Sequence, residues 1–414
     1  MVESQRVGIE DIHAYVGRAR IDIRELFEVR GLNLERFDNL MMRGKSVAFP
    51  FEDAVTNAVN AAKPILENLT EAERDQIEVV ITATESAVDF GKSLSTYLVD
   101  LLGLSRRCRA FEIKQACYAG TAALQMAASY VAANPRPNVK ALVVATDVPR
   151  AMAKHTYAEP SQSTVGVAML VGRNPEILEL DLGATGCYSY EVMDAYRPTS
   201  DTEEGDAQAT LFSYLDCLVG SYQSYCNVVE DVDLMNSFDY LLFHTPFVGM
   251  VRGAHRKLLR KVLKASREQI ADDFERRMLP ALHFCQDVGN GYSASLYLAL
   301  CGLLDAVSLQ SPLRVGMFSY GSGCSSEFFS GIVRPEGKQK LQQRNLHRHI
   351  HSRKTISIQA YDNLLDRNAE VGFGVKEHVV DTRSIGELYA EVFEGQGWLI
   401  LDRIDNYHRV YRWS

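Results

Sequence analysis

The sequence predicts an α/β protein built from two copies of one arrangement, and two observations carry that expectation. First, apolar runs of strand length, "IEVVITATES" (77–86) and "NVKALVVATD" (138–147), alternate with stretches of helical periodicity. Uninterrupted apolar strands of this kind are buried on both faces, as in parallel sheets covered by helices. Second, "CYAGTAALQMAASYVAANPRPNVKALVVATD" is matched by "GNGYSASLYLALCGLLDAVSLQSPLRVGMFSYGSG" element for element: small-residue helix start, apolar helix, Pro-marked loop, basic residue, apolar strand. The spacing agrees too, with 30 residues from Cys117 to Asp147 and 32 from Asn290 to Ser322. Two copies are too few for a solenoid, so two related halves packed together is the simpler reading.

Taken in order, "DAVTNAVNAAKPILENL" (53–69) has helical spacing, and "EAERDQ" leads from it into the first strand. "DFGKSLSTYLVDLLGL" (89–104) is helical in pattern, "AFEIKQA" (110–116) strand-like, and a helix opens at Cys117. "VGVAMLVGRNP" closes a first half of residues 1–174, and "EILELDLGATG" begins a second of 175–414. An acidic and aromatic insertion at 187–237 is expected to cover the site or a partner surface. "FDYLLFHTPF" (238–247) then repeats the pattern of "IEVVITATES", a strand delivering a polar side chain at its end. The tail is helix-like and of mixed charge through "QKLQQRNLHRHIHSRKTISIQAYDNLLD", and finishes in a strand pair formed by "GFGVKEHVV" and "GWLILDRIDNYHRVYRW".

Bulk properties exclude several classes. With 46% hydrophobic and 23% charged residues over 414 positions the chain is ordinary globular material. Forty-four basic against fifty-three acidic residues leave a net charge of −9, which offers no broad surface for nucleic acid. No apolar run approaches bilayer length and "MVESQRVGIED" is too polar for a secretory signal, so the expected location is the cytoplasm, with no membrane partner. The eight cysteines form no CxxC pair, which suggests neither a zinc site nor a disulfide framework.

Four positions hold candidate chemistry. A cysteine in the first turn of a helix has its thiolate stabilised by free backbone N–H groups and the helix dipole, and the small residues after Cys117 would leave amides open as an oxyanion hole. Glu85 ends an apolar strand, where a carboxyl partly removed from water is a candidate general base. His244 occupies the matching place in the second half and could orient a carbonyl or help ionise Cys117. By residue type alone each has a commoner structural role: buried thiol, loop carboxylate, hydrogen-bonded imidazole. What singles them out is symmetry, because equivalent strand ends and helix starts of a duplicated α/β fold converge on one crevice, and Glu85, Cys117, His244 and Asn290 hold those four places.

Weaker signals surround them. "GNGYSAS" is a poor dinucleotide loop, lacking the acidic residue at a following strand end. "HRHIH" (347–351) has metal-like alternation but lies among Arg and Gln in what reads as a solvated region, and no metal is expected. "GMVRGAHRKLLRK" gathers Arg252, His255, Arg256, Lys257, Arg260 and Lys261 just after His244, either as a solvated helix face or as a contact for phosphate or an acidic partner.

"ITATES", "KQACYAGTAALQMA", "FHTPF", "GNGYSAS" and "FSYGSG", in this order, resemble the 3-hydroxy-3-methylglutaryl synthase family of the thiolase superfamily. "FPFEDAVTNAVNAAKPI", "YEVMDAYRP", "SYLDC", "HTPFVGMVRGAHR" and "YGSGCSSEFFSGI" are similar to the branch of that family that installs β-branches on polyketide chains tethered to acyl carrier proteins. The resemblance spans nearly the whole chain. It implies a thiolase-like five-layered αβαβα fold of two duplicated halves and a homodimer. It makes Cys117 the nucleophile that takes an acetyl group as a thioester and Glu85 the base that removes a proton from the acetyl methyl. His244 would bind the acceptor near its carbonyl, with Asn290, Ser322 and Tyr320 lining the pocket, and water would release the product. Donor acetyl-acyl carrier protein and acceptor β-ketoacyl-acyl carrier protein are the implied partners, their phosphopantetheine-linked substrates standing in place of a bound cofactor, with Arg252, Arg256 and Lys257 as carrier contacts.

Departures from the family pattern are informative. Five residues after the histidine, the mevalonate-pathway enzymes have a lysine that helps bind coenzyme A, and this chain has Gly249. "EPSQSTVGVAML" stands where a "PTGG" version is usual, and "DVPRAMAKHTYAEPS" is short for the family, which bears on access to the site. The rival readings are the mevalonate-pathway enzyme itself, against which Gly249 argues; a decarboxylating ketosynthase, which Glu85 does not suit; and a non-catalytic docking scaffold, which would not need Cys117, Glu85 and His244 intact.

Overall fold

The computed structural model describes residues 6–149, 154–156, 158–200 and 202–414. Nine strands form its main sheet: β1 Gly8–Tyr15, β2 Ile77–Ala83, β3 Arg109–Ile113, β4 Lys140–Asp147, β5 Val165–Gly172, β6 Leu178–Ser189, β7 Tyr240–Phe243, β8 Leu313–Gly321 and β9 Ser325–Val333. They lie side by side in the order β7, β8, β9, β6, β1, β5, β4, β2, β3. The apolar runs form these strands for the expected reason: every residue of β5 is buried, and so is every residue of β4 after Lys140. Parallel pairing, however, is confined to β3, β2 and β4 on one side and to β7 and β8 on the other. The pairs β4–β5, β5–β1, β8–β9 and β9–β6 are antiparallel, so each side is a mixed sheet rather than the parallel one the sequence suggested. For β8 and β9 the cause is local, since the few residues between Gly321 and Ser325 allow only a hairpin.

Strand order on the two sides corresponds, β1, β5, β4, β2 against β6, β9, β8, β7. The two sets meet through a short antiparallel contact, Gly8 opposite Glu179 and Ile9 opposite Leu178. The correspondence stops at β3: between β7 and β8 the described residues hold helices Arg267–Arg277 and Leu279–Val288 and no strand in its place. We read residues 1–174 and 175–414 as the two related halves.

Helices complete five layers. Helix α1, Ala54–Leu66, starts at a capping box between Asp53 and Thr56 and packs with α2, Leu94–Leu101, on the outer face of the first half. On the inner face lies α3, Ala119–Ala133; the second half is covered outside by α4, Ala207–Val228, with α5, Val248–Leu263, beside it, and inside by α6, Ser295–Ala306. The two inner helices meet where Thr121 Oγ1 bonds Tyr297 OH at 2.9 Å. Gly120 permits that approach, because a Cβ there would stand 2.9 Å from the Ser293 carbonyl oxygen and 3.3 Å from Tyr297. The helix after Cys117 and its counterpart after Asn290 are thereby held side by side.

The tail corrects two expectations. Its strand pair lies wholly within "GWLILDRIDNYHRVYRW", as the hairpin Leu399–Asp405 and His408–Trp413, and only His378–Val379 of the earlier segment joins it. This hairpin packs on the first half, where Asn60 exchanges two hydrogen bonds with Leu399. "HRHIH" falls in helix Leu346–His351 and is not simply solvated: Ile350 is fully buried, and His349 bonds Arg18 at 3.0 Å with its pKa driven down chiefly by burial.

Candidate active site

β2 and β4 end together, Ala83 opposite Ala145, and the residues just past those ends interlock. One oxygen of Asp147 accepts hydrogen bonds from the Glu85 amide (2.7 Å), Thr84 Oγ1 (3.1 Å) and Ser86 Oγ (2.9 Å), which fixes the turn that carries Glu85. Asp147 is fully buried, and that burial, together with the Glu85 carboxylate, raises its pKa.

Cys117 is on a tight turn before α3 rather than in its first turn. Ala116 has φ of +43°, Tyr118 is the N-cap residue and the helix begins at Ala119. The amides of Tyr118, Ala119 and Thr121 bond the carbonyls of Gln115, Ala116 and Tyr118, so they close the turn and do not form the expected oxyanion hole. Tyr118 anchors it from below: its hydroxyl donates to Glu327 at 2.7 Å, a buried carboxylate that also accepts from Gln125 and Thr185. The thiol donates to Glu85 Oε1 at 3.3 Å. Burial, then the Glu85 charge, push the Cys117 pKa well above its ordinary value, so the resting group is a thiol and not the helix-stabilised thiolate expected from sequence.

His244 follows β7 directly. Its amide bonds the Phe318 carbonyl at 2.8 Å and its carbonyl accepts from Tyr214 OH at 2.7 Å. Burial pulls its pKa down to about 3, which leaves a neutral ring, and Nδ1 is buried without a partner. The ring therefore does not ionise Cys117; the group bonded to that thiol is Glu85. Asn290 Oδ1 is occupied by the Tyr292 amide and Ser295 Oγ, both at 2.9 Å, so its NH2 group is what it can offer the cavity. Tyr320 OH is bonded to buried Asp194, which also holds the Gly323 amide at 2.8 Å.

Glu85, Cys117, His244, Asn290, Tyr320 and Ser322 all line one cavity of about 660 Å³. That volume is within the usual range for small-molecule sites. Arg252, Arg256 and Lys257 do not line it; they are exposed on α5, whose first turn supplies Met250 to the wall. His255 is not part of that exposed face, being fully buried and 2.7 Å from Asp273. Residues 150–153 and 157 of the short "DVPRAMAKHTYAEPS" segment lie outside the described residues. Among the described residues no group of three or more His, Cys, Asp or Glu side chains could hold a metal ion, and no helix is long and apolar enough to cross a membrane.

Two site residues had no signal that periodicity or the repeat could reveal. Arg197 and Glu203 come from the 187–237 insertion, which does cover the site, and both line the cavity. Gly249 also acquires a physical reason: a Cβ there would fall on the carbonyl oxygen of Asn39, so helix Leu34–Leu40 lies directly against the start of α5, with Leu40 in the cavity wall.

Five layers around a deep crevice, with a cysteine and a carboxylate paired at one corner and a neutral histidine at the other, define a thiolase-fold enzyme. Models for the N-terminal and C-terminal regions of hydroxymethylglutaryl-coenzyme A synthase match residues 3–176 and 255–413. The chain is 45% identical over 415 residues to the polyketide biosynthesis 3-hydroxy-3-methylglutaryl-ACP synthase PksG of Bacillus subtilis, covering 98% of this chain and 99% of that one. It is 32% identical to hydroxymethylglutaryl-CoA synthase of Enterococcus faecalis, covering 86% and 90%. The curacin biosynthetic pathway HMG synthase, solved in complex with acetyl donor-ACP, superposes with a TM-score of 0.97 at 47% identity, covering 99% of this chain and 100% of that one. The chain belongs to the hydroxymethylglutaryl-coenzyme A synthase family, and is thus an acyltransferase of the carbon–carbon bond-forming kind.

Proposed function

We propose that this enzyme condenses an acetyl group, delivered by a donor acyl carrier protein and held on Cys117, with the β-ketone of a β-ketoacyl chain on a second carrier protein, installing a β-branch in polyketide biosynthesis. The observation that carries the reading is the 3.3 Å contact between the Cys117 thiol and Glu85, in the cavity that His244 also lines. Similarity to an enzyme named for its ACP-linked product and to one solved with acetyl donor-ACP supports carrier proteins as substrates.

Each group has a step it suits. Cys117 attacks the donor thioester, and its proton passes by way of Glu85 to the departing carrier sulfur, which leaves as a thiol and returns Glu85 to the ionised form. Glu85 then takes a proton from the methyl group of the acetyl thioester, whose carbonyl receives the electron pair as an enolate. That enolate attacks the acceptor ketone, and the oxygen that becomes negative needs a hydrogen-bond donor. His244 can be that donor. A buried unpartnered acceptor costs less than a buried unpartnered donor, so Nδ1 carries the lone pair and Nε2 the proton. The Asn290 NH2 group is a second donor. Water hydrolyses the Cys117 thioester to release the product. A homodimer in the cytoplasm, with exposed Arg252, Arg256 and Lys257 meeting an acidic carrier, completes the proposal.

Mixing the enzyme with acetyl-carrier protein and weighing the intact protein tests it. Wild type is expected to gain one acetyl group and Cys117→Ser none. Acetoacetyl-carrier protein should then discharge the adduct with condensation, far better than acetoacetyl coenzyme A. Loading of the serine variant, or preference for the coenzyme A acceptor, overturns the reading.

A further inference from the structure

Arg197 engages Glu85 at two points. Its Nη1 donates to the Glu85 backbone carbonyl, and its Nη2 stands 3.8 Å from Glu85 Oε2. The same Nη2 donates to Glu203 Oε2 at 3.1 Å, and Glu203 is held in turn by Gln162 Nε2 at 2.7 Å. The guanidinium lies over the Tyr292 ring, 5.5 Å from its centroid, with its side chain only 14% exposed. A cation taken this far out of water persists only where anions face it. Burial opposes its charge, and Glu85, Glu203 and Asp147 more than compensate.

We propose that Arg197 is a positioning residue for proton abstraction: it pins the turn carrying Glu85 through the backbone carbonyl, its charge favours the ionised carboxylate, and Glu203 sets how much of that charge reaches Glu85. The inference rests on Glu85 being the base. Its logic follows from the loading step. Before loading, the Cys117 thiol and Arg197 both stand beside the Glu85 carboxylate. Acetylation replaces the S–H hydrogen with an acetyl group and so removes the thiol's hydrogen bond, whereas Arg197 still stabilises negative charge on Glu85 when the methyl proton must be removed. Four described neighbours of Glu85 do not supply this. Asp147 and Glu203 repel its charge when ionised; Tyr292 is a buried phenol with a raised pKa, and His244 is neutral. Arg197 is thus shared between the Glu85 and Glu203 carboxylates, and the balance tunes the base.

The two partners should act with opposite sign, which makes the proposal testable on the acetyl-enzyme alone. In D2O without acceptor, abstraction breaks a methyl C–H bond, leaves the electron pair in the enolate and returns a deuteron, so deuterium enters the Cys117-bound acetyl group. The rate falls on the acid side as Glu85 is protonated. In Arg197→Met this limb is expected to move to higher pH by about one unit or more. Arg197→Lys should lie between Arg197→Met and wild type. In Glu203→Gln, which frees Arg197 for Glu85 and removes a repelling charge, the limb should move to lower pH. Acetyl loading, read by mass on the same samples, reports fold and nucleophile: a loaded Glu85→Gln enzyme that exchanges deuterium as fast as wild type would remove Glu85 as the base, a failure distinct from that of Arg197. A limb in Arg197→Met that coincides with wild type, or that moves in the same direction as Glu203→Gln, overturns the proposal. If Arg197→Met does not load, Arg197→Lys and Glu203→Gln decide it, and must shift in opposite directions.

Discussion

Glu85 and His244 follow corresponding strands, β2 and β7, yet their surroundings are opposite. Glu85 is enclosed by polar partners: the Asp147 carboxylate around its amide, Arg197 on its carbonyl, the Cys117 thiol on its side chain. His244 is enclosed by packing. Its backbone is satisfied by Phe318 and Tyr214, its Nδ1 has no partner, and burial alone accounts for its neutral ring. One scaffold position therefore holds a carboxylate among charged and polar partners in one half and a neutral, buried imidazole in the other. The duplication supplies the geometry, and the neighbours supply the chemistry.

The strongest way to break this contrast is to remove the proposed base. Glu85→Gln should still accept an acetyl group from the donor yet slow condensation by roughly 10² to 10⁴-fold, the usual contribution of a positioned general base; unchanged condensation by the loaded variant would end its assignment. On the other side, His244→Ala should load normally and lose about 10²-fold in condensation, as when one oxyanion donor is deleted. Because the ring stays neutral down to about pH 3, the wild-type rate should show no histidine titration between pH 5 and 8. A break near pH 6.5 that vanishes in His244→Ala would contradict it.

A smaller effect concerns the thiol. Its pKa is raised by burial and by Glu85, so at a given pH less thiolate is present than on a free cysteine. Alkylation of Cys117 by iodoacetamide should therefore keep accelerating above pH 9, and Glu85→Gln, by removing the adjacent charge, should speed it about tenfold at pH 8. Slower alkylation of that variant would mean that Glu85 promotes the thiolate rather than opposing it. The smallest effect is expected outside the cavity: reversing charge at Arg256 and Lys257 should reduce kcat/KM for carrier-linked substrates several-fold and spare small thioesters, since an exposed patch acts on encounter rather than chemistry. Equal losses for both substrates would remove the patch from docking.

The repeated segments made the convergence of Glu85, Cys117, His244 and Asn290 readable, because continuous apolar runs mark the strands, helical periodicity marks the helices, and the repeat pairs their ends between the two halves. Arg197 and Glu203 were not singled out, although Arg197 lies within the quoted "YEVMDAYRP". They flank a two-residue ladder, Ala195–Tyr196 with Glu204–Gly205, between β6 and α4, which is too short for periodicity to assign a side chain to a face. The Cys117 thiol was read with the wrong sign: the dipole argument placed it inside a helix and omitted both its removal from water and the carboxylate bonded to it. The mixed pairing of the sheet escaped for a related reason, since buried apolar strands look alike whichever way their neighbours run.

Gly249 has a consequence for anyone wishing to place a side chain at this position. With the Asn39 peptide occupying the volume into which a side chain would extend, transplanting the mevalonate-type lysine is not a one-residue exchange. The Leu34–Leu40 helix would have to be rebuilt along with it, so that any redesign at this position must treat two segments far apart in the chain as one.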